Sequence, residues 1–304
     1  DYTVKELPEF RTIRRYQYGD MLPEIKGKRV GIFVGAHQKW DEKLTKVVDK
    51  FCEKYNGVVL CNPTSNYTGQ YKVDFSLICS QTMYKAPCRN VDILIHIGYV
   101  SGAYTGFNPK TVWRVNPDGE IRDTFGTLEN VFQMEEIDFF KEYTDLFDAK
   151  DFHIEYYDEW IKEIKKFTNK EYELPFSNAW IAKQTSHRLP TGANVYFGIL
   201  NTLRTWSYFE FSKELTGYSN TGGFGIDGGL STLLGISLAS PNKLMIGILG
   251  DLGFFYDMNT AGNRHVSNNI RLMVVNNGRG TEFRNYNHPA ARFGEEADKY
   301  MAAG

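Results

Sequence analysis

Gly250-Asp251-Leu252-Gly253-Phe254-Phe255-Tyr256-Asp257-Met258-Asn259 follows an apolar run at 244–249, and Val274-Val275-Asn276-Asn277-Gly278 closes a second run that starts at Ile270. Both runs read as strands, and the 26 positions from Asp251 to Asn277 leave room for a helix between them. In an open α/β sheet the carboxyl ends of such strands face one crevice, where ligands bind. Asp251 then offers a hard carboxylate oxygen and Asn277 a neutral amide oxygen, a pair suited to Mg2+ holding a diphosphate. A lone Gly-Asp or Asn-Asn is an ordinary turn dipeptide. The strand and helix context gives the pair its chemical meaning, and the alternative is two glycine-rich turns in a nucleotide-type sheet.

Working outward, Gly222-Gly223-Phe224-Gly225-Ile226-Asp227-Gly228-Gly229 precedes a helical stretch at 230–238, and 194–198 reads as the first strand of the same sheet. From 29 to about 145, apolar runs at 30–34, 58–61, 91–97 and 112–115 have the continuous hydrophobicity of strands buried on both faces, with helical periodicity at 43–55. The fold class is therefore α/β, with two consecutive Rossmann-like domains of mainly parallel sheets flanked by helices. Residues 1–28 read as a linker, 29–150 as the first domain and 151–193 as a charged, aromatic helical bridge. Trp160, Phe167 and Trp180 of that bridge are expected to pack between domains. No G-x-G-x-x-G follows the first strand, so this domain reads as structural. A nucleotide-binding Rossmann protein remains as a third reading and requires an adenine nucleotide at residues 29–120.

Composition removes several classes of function. The formal net charge is −2 and no basic face is implied, so nucleic acid is not an expected partner. No apolar run reaches the length of a membrane span, and no export pattern opens the chain. Cys52, Cys61, Cys79 and Cys88 lack CxxC spacing and read as reduced, buried thiols, which places the expected location in the cytoplasm. Asn66-Tyr67-Thr68 is formally a glycosylation sequon and reads instead as a turn. The histidines, His37, His96, His153, His187, His265 and His288, show no metal-ligand spacing. His288, just past the second motif, is the one retained as a candidate acid or base.

The segment around 219–228, the Gly250-Asp251-Leu252 run with its trailing Tyr256-Asp257-Met258-Asn259, and Val274-Val275-Asn276-Asn277 together resemble the thiamine-diphosphate-dependent enzymes. Within them the resemblance is to the 2-succinyl-5-enolpyruvyl-6-hydroxy-3-cyclohexene-1-carboxylate synthase branch of menaquinone synthesis. Motifs match over about 194–283, and 29–145 matches by domain order. The resemblance implies that 194–304 is a thiamine-diphosphate- and Mg2+-binding domain cut short at its C-terminus. Asp251 and Asn277 would bind the metal with the carbonyl of Arg279. Gly250, Leu252 and Gly253 would let the backbone meet the diphosphate. The family often has Ser or Ala where Gly253 stands, and Gly keeps the amide.

Ile226, within Gly225-Ile226-Asp227-Gly228, falls where the family places the bulky residue that props the cofactor in its bent form, and simple core packing explains it equally. Asp227 reads either as a helix N-cap or as a cofactor contact. Arg204 matches a family arginine that binds substrate carboxylates, against the plain alternative of a structural ion pair. Thr221 stands where the branch has its other substrate arginine and cannot replace that charge. The segment 278–285 is polar where the branch is apolar. No stretch reads as the pyrimidine-binding domain that supplies the activating glutamate, so that domain is expected upstream or on another chain, with this chain inactive alone. The resemblance implies a 2-oxo acid substrate, decarboxylation with or without carboligation, and a homodimer or homotetramer. The competing reading is a structural or binding module that kept the sheet and lost catalysis.

Overall fold

The computed structural model describes residues 11–146, 154–284 and 288–301. The first ten residues of the expected linker, the expected boundary at 150/151, His153, Asn285 and the last three residues lie outside them. In chain order the elements are β1 (Arg14–Gln17), β2 (Val30–Val34), α1 (Glu42–Tyr55), β3 (Gly57–Cys61), β4 (Lys72–Asp74), α2 (Ser76–Cys79), β5 (Asn90–Ile97), β6 (Asn108–Val115), β7 (Leu128–Gln133) and α3 (Glu136–Leu146). They continue with α4 (Glu155–Thr168), α5 (Asn178–Thr185), β8 (Asn194–Phe197), α6 (Asn201–Trp206), β9 (Thr216–Tyr218), α7 (Gly229–Ala239), β10 (Met245–Gly250), α8 (Asp251–Tyr256), β11 (Ile270–Val275) and α9 (Glu295–Met301).

Among the described residues two wholly parallel sheets form, in the orders β1-β7-β6-β5-β2-β3-β4 and β11-β10-β8-β9. The α/β class with two Rossmann-like sheets is as the sequence predicts. Every residue of β2 and β3 is buried, which is why these runs carry Val, Ile, Leu and Phe without polar alternation. The helix between them starts where Asp41 accepts a hydrogen bond from the Leu44 amide at 2.7 Å, an N-cap.

Three elements differ from the sequence reading. Arg14–Gln17, within the stretch read as a linker, is a strand that pairs with β7 at the sheet edge. Helix α4, read as a bridge, lays fully buried Trp160 and Tyr156 into the core that also holds Phe33, Phe75 and Leu94, so it covers the first sheet. Trp180 stays 37% exposed and meets only the ring of Phe176 edge-on, which is no interdomain packing. The seam between the sheets runs elsewhere. Asn66, at φ +55°, accepts from the Gly217 amide at 2.8 Å and donates to the Gly217 carbonyl at 3.0 Å and the His37 carbonyl at 2.7 Å. A side-chain amide thus pairs with β9 as a neighbouring strand would, and the sequon asparagine is consumed by structure.

The four cysteines are free and buried, and burial pushes their thiols up, Cys79 to about 12, so none is a ready nucleophile. Among the described residues no helix is long and apolar enough to cross a membrane. Helix α7 begins at Gly228, which has no side chain with which to cap it. Asp257, beyond α8, does so from a distance, accepting from the Ser231 amide at 2.6 Å and from the hydroxyls of Ser231 and Thr260 at 2.9 and 2.8 Å. Burial alone would raise its pKa, but these donors outweigh it and hold the carboxyl below its usual range. His96 is buried between Phe33 and Phe125, and burial, with Arg114 and Arg122 nearby, pushes its pKa well down.

Two pH effects on stability are expected. Asp257 has a folded pKa below its ordinary value of 3.8, so its stabilisation is complete above that value and is lost as pH falls through the folded one. Asp257→Asn should cost about 1–2 kcal/mol at neutral pH, a difference from wild type that shrinks in strong acid. For His96 the unfolded chain takes the proton first, so stability declines as pH falls below 6.5. His96→Leu should flatten that decline, and urea midpoints measured at stepped pH read both effects.

Candidate functional site

The second sheet starts in its middle: β8 is followed by β9 on one side and by β10, then β11, on the other. The chain therefore switches direction between β8 and β10, and ligands bind at the carboxyl ends of strands at such a point. A cleft of about 320 Å³ opens there. Its walls are the turn after β8 (Gly198, Ile199, Leu200, Asn201, Thr202), the start of α8, the loop from Asn277 to Glu282, Gly225 and Ile226, and Asn178 from α5.

Here the Asp251 carboxylate, the Asn277 side-chain amide and the Arg279 carbonyl come together. Asp251 is 7% exposed, and its carboxylate is aimed by two amides, Leu252 N onto Oδ1 at 3.0 Å and Gly278 N onto Oδ2 at 2.7 Å. The Asn277 amide end lies 3.3 Å from Asp251 Oδ1 and 2.7 Å from the Arg279 carbonyl oxygen. With nitrogen in that place the amide donates to both and the contacts are satisfied; with oxygen there, it faces two acceptors, an arrangement that a bound cation would stabilise. Adjacent ligands of an octahedral ion with bonds near 2.1 Å sit about 3 Å apart. The two separations bracket that value, so the donor set fits a Mg2+-sized ion with positions left for ligand and water oxygens.

Gly278, at φ +72°, makes the turn that brings the Arg279 carbonyl onto the Asn277 amide. The Arg279 guanidinium leaves in the other direction to pair with Asp298, so this residue offers its carbonyl and not its charge. Among the described residues no group of three His, Cys, Asp or Glu could hold a metal ion.

The structure brings together Gly225, Ile226, Gly250, Asp251, Leu252, Gly253, Asn277 and Arg279 as walls of one cleft. Ile226 lines the cleft and also packs against the apolar cluster of Val195, Phe197 and Ile248. Asp227 is exposed and Gly228 caps α7, and neither lines the cleft. His288 also lies outside it, where its Nδ1 accepts from the Ala290 amide at 3.1 Å and caps a 3-10 turn. Arg204 reaches the cleft through a partner: its Nη1 donates to Glu282 Oε1 and Oε2 at 2.7 and 2.9 Å, and Glu282 is a wall.

Sequence reasoning missed Asn178, Tyr196, Leu200, Asn201, Thr202, Thr281 and Glu282, all of which line the cleft. Leu200 sits at φ +67°, a strained conformation for a branched side chain, and Asn201 Nδ2 donates to Thr281 Oγ1 at 2.5 Å to close the wall. The available signal was Gly198 at the end of β8, because the strand-end rule applied there leads directly to 199–202.

No family model matches the chain. It is 33% identical over 318 aligned residues to the 2-succinyl-5-enolpyruvyl-6-hydroxy-3-cyclohexene-1-carboxylate synthase of Bacteroides fragilis, covering 93% of this chain and 53% of that protein. The same-named enzyme of Phocaeicola vulgatus is 33% identical over 306 residues, 93% of this chain and 53% of its own length. That of Bacteroides thetaiotaomicron is 28% identical over 326 residues, 99% of this chain and 56% of its own. The chain spans about half the length of the curated relatives it matches. Sustained identity through both sheets, together with the strand-end Asp251 and Asn277, establishes that the chain belongs to the thiamine-diphosphate-dependent enzyme family, in the branch of these synthases.

Proposed function

We propose that this chain forms the central and diphosphate-binding parts of a thiamine-diphosphate- and Mg2+-dependent enzyme that decarboxylates a 2-oxo acid and transfers the resulting acyl carbanion to an acceptor. The observation that carries this reading is the convergence of Asp251 Oδ1, the Asn277 amide and the Arg279 carbonyl at the switch point of a parallel sheet. In it, residues 29–150 and 194–304 are the two domains joined through 151–193, and the assembly is a cytoplasmic dimer or tetramer. The pyrimidine-binding partner is a further domain or chain. Its substrate is a small carboxylic acid, consistent with a relatives' product whose name contains a succinyl group and a ring carboxylate.

Each residue then has a definite task. Asp251, Asn277 and the Arg279 carbonyl would hold the metal through oxygen, where its charge would offset that of the diphosphate. Gly250 has open space where a Cβ would stand, so the backbone meets the ligand unobstructed. Ile226, fixed by the apolar cluster behind it and adjacent to Gly253, whose Cβ position lies 3.6 Å from the Ile226 carbonyl oxygen, would give the cofactor a bulky apolar wall. Bound there, thiamine diphosphate would supply the electron sink that decarboxylation of a 2-oxo acid needs. The apolar faces of Ile199, Leu200 and Leu249 keep water from the reacting end of the cleft.

Calorimetric titration of thiamine diphosphate with and without Mg2+ tests the reading. Binding should require the metal, and Asp251→Ala should weaken it on the order of 100-fold, since even outer-shell partners of a metal ligand are worth 10–100-fold. Binding that is indifferent to Mg2+ and to Asp251 would falsify the assignment. A second expectation concerns Gly253, inside α8 with room for a methyl group. Gly253→Ala should raise stability by about 0.5–1 kcal/mol, read as an upward shift of the thermal midpoint.

A further inference from the structure

Glu282, a wall of the cleft, pairs with Arg204, which stands behind it against the first domain. Arg204 comes from α6 behind the β8 turn, and its side chain is only 12% exposed. Its Nε donates to the Gly102 carbonyl at 3.3 Å and its Nη1 to Tyr104 Oη at 3.0 Å, both in the loop between β5 and β6. The guanidinium lies 4.1 Å above the Tyr104 ring, a cation–π stack. Gly102 is packed so closely on this turn that a Cβ there would lie 2.5 Å from Leu203 Cδ2 and 2.9 Å from Ile199 Cδ1. The first domain therefore clamps the arginine, and its plane and position are set before any ligand arrives.

The remaining contact of Nη1 is with both oxygens of Glu282, at 2.7 and 2.9 Å. Glu282 is less constrained: its side chain is 30% exposed, it sits in a single 3-10 turn (Glu282–Arg284), and it lines the cleft. One member of the pair is held by two domains and the other is carried by a surface loop. A carboxylate entering the cleft meets the same guanidinium that Glu282 already covers, and only one of the two can have it.

We propose that Glu282 is a specificity-determining residue that acts as an internal carboxylate, occupying Arg204 until a ligand carboxylate displaces it. The inference rests on the reading of this cleft as the reaction site. It assigns the cleft to ligands that carry a carboxylate, and it makes Glu282 an internal competitor that excludes ligands with no anionic group to exchange.

Succinate titrated into the whole protein by calorimetry, with thiamine diphosphate affinity read on the same samples, tests this. Glu282→Gln should tighten succinate on the order of tenfold, as expected when a close charge pair worth about 1.4 kcal/mol no longer competes. In an Arg204→Met background the same change should have no effect, because the exchange needs the guanidinium. Glu282→Ala, made in parallel, carries the test if the glutamine variant melts early. Unchanged or weaker succinate binding by both Glu282 variants overturns the proposal, as does the absence of succinate binding from all proteins. Equal tightening with and without Arg204 also overturns it, since that is a general charge effect. Failure of thiamine diphosphate to bind strikes the cofactor assignment alone and is read separately.

Discussion

The ladder between β10 and β11 is the constraint on which the site depends. These strands pair in parallel from Met245 with Ile270 to Gly250 with Val275, so Asp251 and Asn277 leave the sheet side by side. A slip of one residue would turn every side chain of β11 to the opposite face and carry Asn277 away from the carboxylate. Packing enforces the register. At Gly247 a Cβ would lie 2.6 Å from Leu233 Cδ2 and 3.0 Å from Leu272 Cδ1, so glycine there lets α7 settle onto both strands at once. Leu233 in turn is placed by a helix whose missing N-cap is supplied by Asp257 from beyond α8. The strand, the helix after it and the helix before it thus fix one another.

The second organising feature is the seam between the sheets. Asn66 pairs with the Gly217 backbone at one end, and Arg204 binds Gly102 and Tyr104 at the other. Gly217 is required by contact, because a Cβ there would stand 2.0 Å from the Pro63 carbonyl oxygen. The first domain, which lacks a phosphate-binding glycine motif, is therefore more than a spacer: its loop after β5 forms the outer support of the cleft. Its buried Arg114 plays a similar supporting role inside the domain, donating to the carbonyls of His96 and Gly98 at 3.1 and 2.8 Å just before that loop begins.

Legibility in the sequence followed element length and burial. The strands buried on both faces, β2, β3, β5, β10 and the end of β6, announced themselves as apolar runs, as did the amphipathic α1. The short or mixed strands β1, β4, β7 and β9 gave no such pattern; Arg14–Gln17 is polar because it closes an edge, where one side of the ladder faces solvent. Trp160 reads as a domain bridge only until α4 is seen lying on the first sheet. Among the candidate residues, those attached rigidly to strand ends line the cleft, while Asp227 and His288, chosen for chemical type in glycine-rich or loop segments, do not.

The sequence by itself determined the α/β class, the strand–helix–strand unit and the placing of Asp251 and Asn277 just beyond two adjacent strand ends. All of these rest on local periodicity and short spacing, which backbone geometry converts directly into position. Only the tertiary structure decided that the cleft lies between β8 and β10 and that Arg279 turns its carbonyl inward while its charge goes to Asp298. It also decided that Arg204 is clamped by Tyr104 and covered by Glu282. These are contacts between segments up to about a hundred residues apart, set by how the sheets close on one another, and no local pattern in the chain encodes them.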